Sequence, residues 1–108
     1  MTSNLFSNLP GHLPDELFTT LLEAKNLRIE RIVSQGHCSP EGFWYDQNQH
    51  EWVLVLQGAA QLTIEGETKE LKPGDSLNIP AHQKHRVDWT IPVEPTIWLA
   101  VFYDEPTQ

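Results

Sequence analysis

Two residues combine a reactive side chain with an apolar setting. Glu51 opens the segment Glu51-Trp52-Val53-Leu54-Val55-Leu56-Gln57-Gly58, in which five apolar residues follow the carboxylate directly. A carboxylate at the end of a buried strand is costly unless it is paired, hydrogen-bonded or bound to a cation. Two readings stand: a residue at the solvated lip of a fold, bridged to Lys84 or Arg86, or a ligand facing an interior. His85 heads a second segment, His85-Arg86-Val87-Asp88-Trp89-Thr90, where strand alternation puts His85 with Val87 and Trp89 and leaves Arg86 and Asp88 opposite. An inward imidazole is either a hydrogen-bonded core residue or a metal ligand, and neutral histidine suits zinc, iron or nickel. Other histidines lie nearby. His50 precedes Glu51 and faces away from it unless a bulge intervenes; His82 stands three residues before His85 on a loop. His37 and Cys38 precede Ser39-Pro40 in a further loop, and His12, beside the expected helix start, is expected at the surface.

The elements that must hold these groups are short strands. Ala60 to Glu65 alternates, with Leu62 and Ile64 on one face and Gln61, Thr63 and Glu65 on the other. Glu65-Gly66-Glu67 is a hairpin turn, and Thr68 to Lys72 returns from it. Ser76 to Pro80, His85 to Thr90 and Thr96 to Tyr103 supply three more strands, and Trp52 to Leu56 is apolar on both faces, as a strand covered on two sides would be. Leu27 to Ile32 alternates imperfectly, as an edge or twisted strand does. Gly42 to Gln47 is short and aromatic. Closely spaced strands with turn signals predict an all-β sandwich or barrel. Before them, Pro14 and the acids Asp15 and Glu16 suit a first helical turn, and Leu17, Phe18, Leu21 and Leu22 have the spacing of an apolar helical stripe. The expectation is a tail and short helix over residues 1–26, packed on a β-barrel over residues 27–105.

Lys72-Pro73-Gly74-Asp75 leads into a strand that ends at Pro80, with His85 five residues further on. Gly74, Pro80 and His85 fall on three fixed positions of the pattern G-x5-P-x-G-x2-H-x3-N. Glu51 and Gly58 match the end of G-x5-H-x-H-x(3,4)-E-x6-G. These are the two motifs of the cupin superfamily, and from Gly36 to Tyr103 the chain resembles a small single-domain cupin with a degenerate first motif. The resemblance implies a double-stranded β-helix, or jelly-roll barrel. It also implies one divalent metal ion inside, with Glu51 and His85 at two ligand positions. The H-x-H pair is absent. With a four-residue spacer its positions fall on Trp44 and Asp46, giving the ligand set Asp46, Glu51 and His85 for zinc, iron, manganese or nickel; the alternative is that Asp46 belongs to a polar turn. With a three-residue spacer the positions fall on Tyr45 and Gln47. His82 occupies the glycine position of the second motif. Trp44, Tyr45, His50, His82 and Trp89 are the candidates for a surrounding pocket.

Composition limits the partners. The chain has 108 residues, enough for one domain, with 39% hydrophobic and 20% charged residues. A formal charge of -8 and the absence of a basic stripe argue against nucleic acid and anionic membranes. No apolar run approaches the roughly 20 residues that span a bilayer. The amino terminus lacks a basic start and an apolar core, and one cysteine cannot form an internal disulfide, so a cytoplasmic protein is expected. There is no G-x-S-x-G elbow, phosphate loop, dinucleotide fingerprint or Cys-x-x-Cys pair. Three functions follow: a metal-binding cupin acting on a small molecule, a metal-free small-molecule binder with an aromatic pocket, or a structural dimerising domain. A homodimer is expected, because an exposed strand edge favours covering.

Overall fold

A computed structural model describes residues 2–104. The order is β1 (Leu17–Ala24), β2 (Leu27–Ser34), β3 (His50–Gln57), β4 (Ala60–Ile64), β5 (Glu67–Leu71), β6 (Ser76–Ile79), β7 (His85–Thr90) and β8 (Thr96–Tyr103). Two antiparallel sheets form, one ordered β1-β2-β8-β3-β6 and one ordered β5-β4-β7. This is the all-β jelly-roll arrangement expected from the strand pattern.

Their facing sides enclose a core of Val53, Val55, Ala60, Leu62, Leu71, Trp98, Ala100 and Phe102, with Ile32, Leu77 and Val87 packed against it. Strand period decides who faces it. On β3, Glu51, Val53 and Val55 are buried inward while Trp52 and Leu54 are half-buried on the outer face. Between β4 and β5 the turn residues Glu65 and Gly66 both have positive φ, 49° and 79°, the left-handed pair whose twist matches a two-residue hairpin. Gly58 ends β3 with φ 91°, and a Cβ there would lie 2.4 Å from Thr96 Oγ1 and 2.6 Å from Thr96 Cα. Only glycine lets the chain leave β3 this close to the start of β8.

The short amino-terminal helix is not formed; Leu17–Ala24 is a strand paired along β2, from Leu17 opposite Val33 to Ala24 opposite Leu27. The apolar pairs Leu17/Leu21 and Phe18/Leu22 are four apart, a spacing that fits the helical period and the strand period alike. Thr19 and Thr20 favour the extended form, and the open side of β2 supplies hydrogen bonds an isolated short helix would lack. A register shift between Thr20 and Leu22 accommodates the mismatch. Because β1 covers one side of β2 and β8 the other, β2 is an interior strand rather than an edge.

Candidate functional site

A cavity open to solvent lies between the sheets. Its apolar wall comes from Ile32, Val53, Leu62, Ile79, Val87, Trp98 and Phe102 on six strands, and Phe18 on β1 stands at the rim, 52% exposed. Four polar side chains on one side give the cavity its chemistry: Tyr45, Gln47, Glu51 and His85; a fifth, Glu16, precedes β1.

Glu51 and His85 meet here, 7% and 4% exposed. His85 Nε2 lies 3.6 Å from Glu51 Oε1, a charge contact too long for a hydrogen bond. The other ring nitrogen, Nδ1, is 3.0 Å from the Gln83 carbonyl oxygen and must donate to it, because a carbonyl only accepts. That fixes the tautomer: in the neutral ring, Nε2 carries the lone pair turned towards Glu51. Burial of the ring favours its neutral form, but the Glu51 carboxylate and the Gln83 carbonyl outweigh burial and hold the His85 pKa above the ordinary histidine value. Gln47 Nε2 donates to Glu51 Oε1 at 3.0 Å, which compensates the buried carboxylate without neutralising it. Tyr45 lies over the His85 ring, with centroids 5.3 Å apart and planes 21° from parallel. Their backbones exchange two hydrogen bonds, Tyr45 N to His85 O at 2.7 Å and His85 N to Tyr45 O at 3.1 Å, so the loop carrying Tyr45 is stitched to β7. Burial, then the charges of Glu16 and Glu51, push the Tyr45 phenol pKa upwards.

The three-residue spacer therefore describes this chain: Tyr45 and Gln47 face the cavity and Asp46 does not. Asp46 Oδ1 is 2.8 Å from His82 Nδ1, both side chains well exposed, so the expected grouping of Asp46 with Glu51 and His85 is not assembled. His82 adopts φ 62° at the position where the motif has glycine, and its N–H donates to the Gln47 carbonyl. It holds the outside of the loop and does not enter the cavity. Trp44, 42% exposed, lies with Lys84 and His82 in an outer depression, its ring 5.8 Å from the Arg86 guanidinium carbon. His50 also faces out. Its ring packs 5.0 Å from that of Tyr103, and its Nδ1 accepts from the Ala81 N–H. Trp89 is outside, 40% exposed, because β7 carries one extra residue, Asp88, where Gln61 and Leu62 of β4 pair with Trp89 and Val87; the extra residue reverses the parity that His85 and Val87 establish. His37 is tied to the Leu13 carbonyl and the Gln35 N–H, and Cys38 is exposed. The residues the sequence pattern passed over are Glu16, Phe18 and Trp98. Glu16 accepts a hydrogen bond from the Ser34 hydroxyl, which in turn accepts from Trp98 Nε1 at 3.3 Å.

These donors do not fit the metal ion that the barrel type suggests. His85 Nε2 and Glu51 are suitable ligands, but a catalytic site takes three protein ligands of such types. Gln47 turns its amide nitrogen, a donor, to the carboxylate, and the Tyr45 phenol is biased towards its protonated form. Among the described residues no group of three or more His, Cys, Asp and Glu is placed to hold a metal ion.

The Cupin domain family matches residues 32–102. A protein of Ralstonia eutropha JMP134, provisionally described as a mannose-6-phosphate isomerase, has a structure that superposes with a TM-score of 0.94 at 51% identity, covering 97% of this chain and 99% of that one. A Streptococcus pyogenes protein of unknown function gives 0.77 at 21% identity, covering 99% and 90%. A cupin superfamily protein of Desulfitobacterium hafniense DCB-2 gives 0.75 at 19%, covering 90% and 84%. No curated protein matches the sequence. With the family match spanning most of the chain and both sheets closing around one interior cavity, this protein belongs to the cupin family.

Proposed function

We propose that this cupin binds a small molecule inside its barrel without a metal ion, placing the ligand's polar end against His85, Glu51, Gln47 and Tyr45. The observation that carries this reading is the pairing of Gln47 with Glu51. The amide stands at a vacated ligand position and supplies the carboxylate with a hydrogen bond where a metal would otherwise be needed. The remainder of the cavity is an apolar wall with a few convergent polar groups, the usual make-up of a small-molecule site. Val53, Leu62, Val87 and Trp98 would exclude water from the ligand's body; to its polar end Glu51 would offer an acceptor, and His85 Nε2 a donor when the ring is protonated and a second acceptor when it is neutral.

A second reading is isomerisation of a sugar phosphate, favoured by the description of the Ralstonia eutropha protein. In that reaction His85 and Glu51 would move a proton between adjacent carbons of the substrate. A phosphate, however, is normally recognised by Arg, Lys or clustered N–H groups, and no Lys or Arg is among the cavity-lining residues. The first reading is therefore preferred. Thermal stabilisation by a neutral aromatic alcohol such as benzyl alcohol tests it, with chelator present throughout. Stabilisation that survives the chelator and falls in His85→Ala supports the reading; stabilisation that appears only after a metal ion is added contradicts it.

A further inference from the structure

Resting on that reading of the cavity, we infer that the ligand class is an organic cation, an ammonium or similar group on an aromatic or branched apolar body. The basis is that two carboxylates, Glu16 and Glu51, line an aromatic cavity without a Lys or Arg among its lining residues. Charge within the cavity can be counted from its contacts. Glu51 faces His85, so protonated His85 cancels one negative charge and neutral His85 cancels none. Among the described residues, Glu16 accepts from a neutral donor, the Ser34 hydroxyl. The cavity is net negative in both protonation states of His85. Burial first, and then the charges of both carboxylates, push the Tyr45 phenol pKa upwards. Arg28, outside the lining, lies 4.3 Å above the Phe102 ring centroid and pairs with Glu30 at 2.9 Å.

The walls suit the same ligand. Tyr45, Trp98, Phe102 and rim residue Phe18 surround the space, and aromatic faces attract cations through their quadrupoles, most strongly where water is excluded. An anion would meet two carboxylates with at most one protonated imidazole, His85, to offset them. The chemistry therefore selects against phosphates and carboxylates and for ammonium groups.

The test uses three probes with one aromatic body: benzylammonium, benzyl alcohol and benzoate, titrated into the wild-type protein by calorimetry. Benzylammonium should bind about tenfold more tightly than the alcohol, equivalent to one well-placed charge contact, and benzoate should bind most weakly. In Glu16→Gln, whose amide oxygen can still accept from Ser34, the ammonium-to-alcohol ratio should fall towards one. Equal binding of ammonium and alcohol in the wild type, with no change of ratio in Glu16→Gln, overturns the cation class and leaves the cavity as a binding site. Tighter binding of benzoate also overturns the cation class. Failure of all three probes to bind at millimolar concentration overturns both this inference and the reading beneath it.

Discussion

Glu51 is the residue on which the site turns, since a buried carboxylate must be compensated and here Gln47 and His85 share that task. Removing the amide in Gln47→Ala should destabilise the protein by about 1–3 kcal/mol, the usual cost of leaving a buried charged acceptor short of a donor. Asp46→Ala should cost no more than about 1 kcal/mol, because the Asp46–His82 pair is solvent-exposed. Denaturant melts of the two variants separate the three-residue from the four-residue spacing, and a larger loss in Asp46→Ala would contradict the placement described. His85 gives a second prediction. Its pKa in the folded state is raised, so the stability gained from its protonation is complete below the unfolded value of about 6.5 and disappears as pH rises through the folded value. Ring resonances of His85 should titrate above about 6.5 in the wild type and at lower pH in Glu51→Gln. A midpoint unmoved by Glu51→Gln would show that the carboxylate is not the cause.

At the scale of elements, the tightest constraint is the exit from β3. Gly58→Ala would drive a methyl group into Thr96 and force a left-handed φ on an L-residue; destabilisation of about 2–4 kcal/mol is expected by thermal or urea unfolding. Wild-type stability in this variant would mean that β3 and β8 can separate there at little cost. The strands were legible in the sequence because alternation and turn residues agree: Leu62 and Ile64 point in, Glu65 and Gly66 turn, and the Pro73-Gly74 turn precedes β6. Only part of the site was legible. Glu51 and His85 stand out because each is a charged or titratable residue beginning an apolar strand. Asp46 and Gln47 could not be separated, since periodicity fixes strands but not the length of the loop before β3. Trp89 was misplaced because a bulge reverses parity and leaves no trace in composition. Glu16 and Phe18 were missed because their segment satisfies the helical period as well as the strand period, and only the open side of β2 decides between them.

For the whole molecule, the outer face of the five-stranded sheet is the surface suited to association. Trp52 and Leu54 on β3, opposite Val101 and Leu99 on β8, form a half-buried apolar band on this face. Such a band favours a second copy. Light scattering at high micromolar concentration should therefore give a dimer mass, and Leu54→Asp should shift it towards monomer; a monomeric wild type would count against the expectation. In the interior, the Tyr45 phenol and the Gln47 amide line the cavity beside Glu51 and His85, and the reading proposed for it is a site without a metal ion. The most direct measurement is elemental mass spectrometry of tag-free protein, incubated in turn with zinc, iron, manganese and nickel and then desalted, beside His85→Ala treated identically. Metal well below one equivalent, with the same residue in both proteins, is the predicted result. One equivalent in the wild type that is lost in His85→Ala would contradict the account and return Glu51 and His85 to the role of metal ligands.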